Sequence, residues 1–597
     1  MIRQLQALGD LGRKASLVLS AAQKKTYFVS LVFMFFSSGL ELITIGLLVP
    51  FLGAVVSPQL LSHYAPAGTV FSFFAHLPSR GTVLVLGIVV LGMFAAKNVI
   101  SYFLYAYQNR FVYSVATDLS RNKLQQYYSL SFPEFQKSNA AEMQREIAYI
   151  PVEFSHHIIL GSMVILSEGM VVTLFTAGMA VFQFRIFLLT ASTILPFVLL
   201  AHYISARYLR RARTTIQQTS PANLRILSDA LSGFQEVKLY NSEEHFIERY
   251  LSGQRGLNVQ LGKLNSASAI PGRLSEIFAV AGIMVVLFFY YAFEGGLTTS
   301  VVSLLTVYVA FAYRVIPSAS RILNAAVQMR TYAFTADAVS PSQPPGDVDP
   351  GRQERPGTSP LILVDSIELR DIRLSYPERG TPVLDGVSWC IRKGEMVGLT
   401  GQSGSGKTSL VRILLQLLSQ SSGCILLDGK VLQRDDVLGW HRLFAYVTQE
   451  PFVLADTIAA NVAFDVPGSQ ADPDRVRQSL HQAGLSGLIG QLPEGIETRV
   501  AEKGKNLSGG QRQRLIIARA LYRGAEIFVF DEAMSELDSA SEQEVLESIS
   551  SLHSSGKTVV VVSHHQRTVS RCDKIYSLGQ GKLHPVLKPA SVPMREN

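Results

Sequence analysis

Cysteine and charge are the two things this chain is short of. Only three of its 597 residues are cysteine, Cys390, Cys424 and Cys572, all in the second half. The number is odd and no metal-ligand spacing is present, so neither a disulfide framework nor a metal module is expected, only reduced thiols. Charged residues make up 17%, against roughly a quarter in soluble domains. Hydrophobic residues make up 48%, and the mean hydropathy is +0.23. Nor is a cleavable leader expected. The stretch "RKASLVLSAAQKK" at 13–25 is basic and has little apolar continuity, and the apolar run after it is too long for a signal peptide. Its spacing predicts an interfacial helix on the cytoplasmic face of a membrane.

What is present in quantity is oil. A helix needs about 20 apolar residues to cross a bilayer, and such runs occur near 27–56, 83–106, 158–182, 186–206, 274–293 and 301–325. "VFQFR" at 181–185 is nearly the whole connection between the third and fourth, which predicts a hairpin with a very short outer turn. The formal net charge of +8 would suit nucleic acid, but the basic residues lie between the apolar runs, as membrane-protein loops require. No nucleic-acid partner is expected. Lys and Arg crowd the segments before span one, between spans two and three, and between spans four and five, where "RYLRRAR" stands at 207–213. The positive-inside rule then puts both termini in the cytoplasm. The two long inner segments carry helical patterning, which predicts membrane helices that run on into the cytoplasm. The outer segment 57–80 reads equally as an amphipathic helix on lipid or as a plain loop.

Residues 337–360, "DAVSPSQPPGDVDPGRQERPGTSP", break every period and form a linker. Beyond it the alternation is that of strands, in "IELRDIRLSY", "CILLDGKVL" and "EIFVFDEA", with helical stretches between. The fold class expected is an α-helical six-span membrane domain over 1–335, a linker over 336–361, and an α/β P-loop domain over 362–597.

The second domain carries the chemistry. "GQSGSGKTSL" at 401–410 follows a strand, "EMVGLT", and opens a helix, "SLVRILLQLL". It fits the G-x-x-x-x-G-K-[ST] pattern, in which backbone N–H groups close around phosphate oxygens. Gly401, Gln402, Ser403, Gly404, Ser405, Gly406 and Ser409 form the cradle. Lys407 reaches the terminal phosphates, and the Thr408 hydroxyl suits Mg2+. A second strand ends in "IFVFDE", which offers Asp531 as a magnesium ligand and Glu532 to polarise an attacking water. Between the two lies "LSGGQ", with Ser508, Gly509, Gly510 and Gln511 opening another helix, again an anion site. One nucleotide does not need two such loops on one domain. The simplest resolution gives the second loop to the nucleotide of another copy.

These residues together resemble an ABC transporter of the exporter type, a half-transporter with membrane and nucleotide-binding domains fused, over nearly the whole chain. The resemblance implies ATP as fuel. It makes Gly401–Thr408 the Walker A loop, Asp531 and Glu532 the Walker B pair, and Ser508–Gln511 the signature. Tyr376 matches the aromatic that stacks on adenine. Gln449 in "YVTQEPF" matches the glutamine that senses magnesium and the membrane domain, and "SELD" at 535–538 the D-loop. His564 matches the switch histidine, since it follows "VVVS" as the family's histidine follows its last strand, although His565 stands beside it. The family pattern is broken at Ala501, where a glycine is usual, and in "SHHQRT". With one complete set of motifs, a homodimer with two sandwiched ATP molecules is expected, and coupling helices near 133–142 and 219–230 would carry its motion to the membrane.

Cargo is a separate matter. Glu41, Lys97, Glu168, Arg273, Glu276, Arg314 and Arg321 fall in or near apolar runs. Such charges mark a substrate path by default, or pair with one another and snorkel. Glu41, Lys97, Arg273, Arg314 and Arg321 are the substrate candidates, with the arginine forks suited to phosphate. "YRVIPSASRI", "GLLVPF" and "LSEG" resemble bacterial flippases of lipid-linked oligosaccharides. That resemblance implies a polyprenyl-pyrophosphate sugar, moved from the cytoplasmic to the outer leaflet of the bacterial inner membrane. An exporter of another lipid, a peptide or a drug would share every nucleotide motif.

Overall fold

The structure, a computed structural model, describes residues 2–48, 79–182, 218–220, 222–293, 299–340, 361–376, 381–466, 470–534 and 537–586, with single positions between 51 and 55 and between 184 and 204. The chain divides into two compact units between Val348 and Asp349, the second also taking Ser131–Pro133.

The first unit is helical. Helix α1 spans Ile2–Val18 and α2 spans Ala21–Gly46. Between them Ser20 and Gln23 form a capping box, each side chain accepting from the other's backbone N–H, which satisfies two otherwise orphaned donors. Leu11, Ala15 and Leu19 recur at four-residue spacing and are buried against Val112, Phe154, Ile158 and Met329, so one face of α1 is covered by protein. Helix α3 is a 51-residue rod, Ser79–Ser129. At 1.5 Å per residue it is about 76 Å long, more than twice the ~30 Å hydrocarbon core. After it come a short helix, α4 (Phe132–Lys137), and a helical turn at Ala140–Gln144 capped by Asn139. Helix α5 (Gly161–Phe182) follows two π turns, Arg145–Tyr149 and Ser155–Leu160. Pro151 stands just after the first, where its missing N–H would leave a helix carbonyl without its donor. Helix α6 is again 51 residues, Glu243–Phe293, and α7 spans Thr299–Thr331. They pack together, and buried Ser320 donates to the Pro271 carbonyl at 3.3 Å. Helix α8 (Ala333–Val339) returns toward α1, where Asp337 pairs with Lys14.

Among the described residues, four helices are long and apolar enough to cross a membrane: Ala21–Gly46, Val83–Ser129, Ala140–Val181 and Glu243–Val285. They overlap 27–46 of the first expected span, all of the second, 158–181 of the third and 274–285 of the fifth. The sixth, 301–325, lies within α7. Most of the fourth and of its short outer turn, the segment 57–78 and most of the linker lie outside the described residues. The region of the second expected coupling helix is helical at 222–232.

The second unit holds two sheets. One is antiparallel and four-stranded, in the order β2 (Leu384–Arg392), β1 (Ser366–Leu374), β4 (Ser422–Leu427), β5 (Lys430–Val431). The other has six strands, in the order β10 (Lys582–Val586), β9 (Lys574–Gly579), β3 (Met396–Thr400), β8 (Thr558–Val562), β7 (Ile527–Asp531), β6 (Phe444–Thr448). All neighbours in it are parallel except β10 with β9. β7 and β8, "IFVFD" and "TVVVV", are buried at every position, as strands covered on both faces must be. The sheet sits between two cores, one centred on Phe528, Phe530, Val559 and Ile517, the other on Val529, Val560, Leu410 and Trp440. β8 is not the last strand: β9 and β10 follow it in the chain. The expectation that His564 follows the final strand is corrected to that extent.

Candidate functional site

The parallel sheet gathers residues that are far apart in sequence. Thr448 pairs with Asp531, Asp531 with Val562, and Val562 with Leu399. The four strands therefore end level, about 4.8 Å from neighbour to neighbour. The segment after each strand carries one expected group: Gln449 after β6, Glu532 after β7, His564 after β8, and the loop 401–406 after β3. Ligands of open α/β sheets bind outside the carboxyl ends of the strands.

The loop after β3 is held open by glycine. Gly401, Gly404 and Gly406 have φ of +147°, +77° and +101°, in the region glycine adopts without steric cost. A Cβ on Gly401 would stand 2.4 Å from the Leu578 carbonyl oxygen, so β9 itself forbids a side chain there. Helix α9 (Lys407–Leu414) begins at once and packs on β7. Lys407 is buried, and its Nζ donates to the carbonyls of Gly401 at 2.8 Å and Gln402 at 3.0 Å. Burial lowers the pKa of this ammonium, against the pull of Glu532 and Asp531. Ser405 N donates to Gln402 O, closing the turn, while Ser405 Oγ is buried with no partner among the described residues. The groove in front of the loop, about 690 Å³, is walled by Thr381–Val383, Gly401–Ser405 and Ser577–Gly581 with His584. Tyr376, two residues beyond β1, has its Oη 3.4 Å from Ser409 Oγ at the start of α9.

Asp531 is buried at the end of β7, and Tyr446 on β6 donates to its Oδ2 at 2.9 Å. Burial raises its pKa above the usual carboxylate range, and the tyrosine bond opposes the rise. Carboxylate and hydroxyl oxygens of this kind, from Asp531 and Thr408, fit a hard, mostly hydrated cation such as Mg2+. Glu532 has φ +51°, a left-handed conformation that costs a non-glycine residue about 1–3 kcal/mol. Its N–H donates to Val562 O at 3.0 Å, and this turn sets its carboxylate 3.2 Å from His564 Nε2. Strain held in place by neighbouring strands is typical of a site. Of the two adjacent histidines, the side chain of His564 reaches Glu532. The N–H of His565 donates to Ser563 Oγ.

Ser508 and Gln511 are placed elsewhere. Ser508 caps α10 (Gly509–Arg523), its Oγ accepting from Gln511 N while Gln511 Oε1 accepts from Ser508 N. A Cβ on Gly509 would meet Leu537 at 2.8 Å, and one on Gly510 would meet Ser541 at 3.0 Å. The two glycines allow the segment before and into α11 (Ser539–Ser554) to approach. None of these residues lines the groove of the P-loop.

In the helical unit, four of the five substrate candidates are joined. Glu41 on α2 takes Lys97 of α3 at 2.7 Å and Arg314 of α7 at 2.6 Å. Arg314 continues to Glu168 of α5 at 3.4 Å, and Arg321 reaches Glu168 at 2.7 Å. Ser318, which the sequence did not single out, donates to Glu168 at 2.7 Å. Arg273 stands apart on α6, 82% exposed, its guanidinium 3.6 Å from Glu276.

The sequence pattern of the family described as ABC transporter matches residues 384–535. The chain is 29% identical over 515 residues to the ATP-dependent lipid A-core flippase of Xylella fastidiosa (strain Temecula1), covering 85% of this chain and 84% of that one. It is 30% identical over 456 residues to the protein of the same name from Burkholderia orbicola (strain AU 1054), covering 75% and 74%. Its fold matches a bacterial Atm1-family ABC exporter with ATP bound, with a TM-score of 0.72 and 19% identity over 94% of this chain and 96% of that chain. With close to a third of its residues shared across three-quarters of a relative, and the P-loop domain behind its membrane helices, the chain belongs to the ABC transporter family.

Proposed function

We propose that two copies of this chain use ATP to flip an anionic, lipid-linked cargo, a polyprenyl-pyrophosphate oligosaccharide, from the cytoplasmic to the outer leaflet of the bacterial inner membrane, with both termini in the cytoplasm. One observation carries the cargo assignment. Three cations, Lys97, Arg314 and Arg321, meet two carboxylates, Glu41 and Glu168, inside the helical unit, leaving net positive charge where charge is most costly. The lipid flippases among its relatives support a lipid as the body of the cargo.

At the sheet edge the 401–406 loop and Lys407 hold the phosphates, and Tyr376 takes the adenine. Thr408, Gln449 and Asp531 hold Mg2+, which when bound neutralises charge on the transferring phosphate. Glu532 orients and accepts a proton from the attacking water, and His564 holds that carboxylate in place. One nucleotide does not need two anion-binding loops on one domain, so Ser508–Gln511 serve the nucleotide of the second copy. The short helices near 133–142 and 219–230 carry closure of that pair to the membrane helices.

Tyr446 supplies a pH test. Its O–H favours the ionised form of Asp531, and only that form holds magnesium well. Tyr446→Phe raises the Asp531 pKa further, so the acid limb of the ATPase profile moves to higher pH. An unmoved acid limb would separate Asp531 from that limb.

For the cargo, the decisive measurement is leaflet transfer in proteoliposomes of a fluorescent short-chain lipid-pyrophosphate sugar. Transfer is expected with ATP and Mg2+ and not without them. ATP hydrolysis without any transfer would remove the cargo assignment.

A further inference from the structure

We infer that Glu168 is a resident counter-ion occupying an anion site, and that a phosphate-bearing headgroup binds by taking its place between Arg314 and Arg321. This rests on the reading that the cargo carries phosphate, and it adds a residue and a mode of binding to it.

Glu168 is almost fully engaged. Its Oε1 lies 2.7 Å from Arg321 Nε. Its Oε2 accepts from Ser318 Oγ at 2.7 Å and from Arg321 Nη2 at 3.4 Å, and lies 3.4 Å from Arg314 Nη1. One carboxylate is thus shared by two guanidiniums and a hydroxyl. The donors outnumber what it can serve: Arg314 Nε is buried with no acceptor among the described residues. Such an N–H loses its hydration without replacement. Counting charge, Lys97, Arg314 and Arg321 set three positives against Glu41 and Glu168.

A phosphate group answers both deficits. It brings more acceptor oxygens than a carboxylate and more negative charge, in the geometry that guanidinium forks match. Access is also one-sided. Arg314, Glu41 and Glu168 are 12–13% exposed, whereas Arg321 is 49% exposed. An incoming anion therefore meets Arg321 first, then displaces Glu168 from Arg314. Glu41 differs, because it neutralises Lys97 and one face of Arg314 from the far side and stays.

A purely structural network predicts something else. Paired buried charges fix helix packing, and removing either sign weakens that packing. Removing Glu168 and removing Arg321 would then act in the same direction. Exchange requires opposite directions, because Glu168 competes with the ligand and Arg321 binds it.

The test uses the full-length protein in nanodiscs of zwitterionic lipid, with farnesyl diphosphate as the probe and farnesol as the uncharged control. Stimulation of ATP hydrolysis is followed against probe concentration. Glu168→Gln is expected to lower the half-saturating concentration of farnesyl diphosphate about tenfold, the worth of one hydrogen bond to a charged group. Arg321→Gln is expected to raise it by about the same factor. The response to farnesol stays the same in all three proteins. Shifts in one direction, an unchanged Glu168→Gln, or no diphosphate response in any protein would overturn the inference. If Glu168→Gln does not fold, Arg321→Gln, at a half-exposed position, decides alone, and an unchanged or lowered half-saturation overturns the exchange. Opposite shifts without leaflet transfer of a lipid-pyrophosphate sugar would keep the anion site and remove the flippase reading. Leaflet transfer without opposite shifts would do the reverse.

Discussion

Glu532→Gln is expected to cut ATP turnover by about 10²–10⁴-fold, the usual worth of a positioned general base, while ATP affinity stays near that of the unaltered protein. The reason is local. The glutamine amide is nearly isosteric, so the left-handed turn at φ +51° and the bond from its N–H to Val562 O remain. His564 Nε2, 3.2 Å from the carboxylate, still finds an oxygen there. What is lost is the capacity to take a proton. The groups assigned to the phosphates, Lys407 and the glycine loop, do not depend on that capacity. His564→Ala should cost less, because the histidine touches the carboxylate and its effect is through position. Single-turnover hydrolysis with radiolabelled ATP, run beside equilibrium binding, separates the two quantities. Turnover close to normal in Glu532→Gln would take the general-base role away from Glu532. A matching loss of affinity would mean that the turn itself had collapsed.

The nucleotide end of the chain was legible in the sequence because its signals are short and local. A glycine loop between a strand and a helix, an acid pair at the end of an apolar strand, and a Ser-x-x-Gln box each declare themselves within ten residues. The sheet then only had to bring four strand ends level, which the register of Thr448, Asp531, Val562 and Leu399 does. Tyr446 was not legible. It lies 85 positions from the carboxylate it bonds, and nothing in "FAYVT" marks it except its strand. The membrane half shows the same limit more strongly. The charged residues could be named from their cost in apolar runs, but Arg321 and Glu168 are 153 positions apart. Which cation meets which carboxylate depends on how α2, α3, α5 and α7 pack. That packing turned four separate candidates into one network and left Arg273 outside it. The great length of α3 and α6 was legible because their helical period persists; the π turns before α5 were not, since a single added residue per turn leaves no pattern beyond Pro151 nearby.

Lys407→Ala and Ser508→Asp should each abolish ATP hydrolysis alone, and the two mixed as one dimer preparation should restore about a quarter of it, as a two-fold pair with shared sites requires. Lys407→Ala removes the ammonium that spans the P-loop. Ser508→Asp keeps an acceptor for the N-terminus of α10, since aspartate caps as well as serine, but it sets a negative charge where a phosphate would approach. In a dimer of either variant alone, both sites are damaged. In a mixed dimer, one site combines the two damaged halves, and the other combines an intact P-loop with an intact Ser508–Gln511 loop. About half of the dimers formed at random are mixed, and each has one working site of two, which gives about a quarter. If each chain built its site from its own two loops, every mixed dimer would hold one damaged site per chain, and nothing would return. The bonds that tie Ser508 to Gln511 explain why the loop keeps its shape before a partner arrives. Chains co-expressed with two different tags and assayed for phosphate release give the answer directly, about a quarter of normal before selection and about half once purification through both tags leaves only mixed dimers: recovery places the signature of one copy on the nucleotide of the other, and its absence confines each site to a single chain.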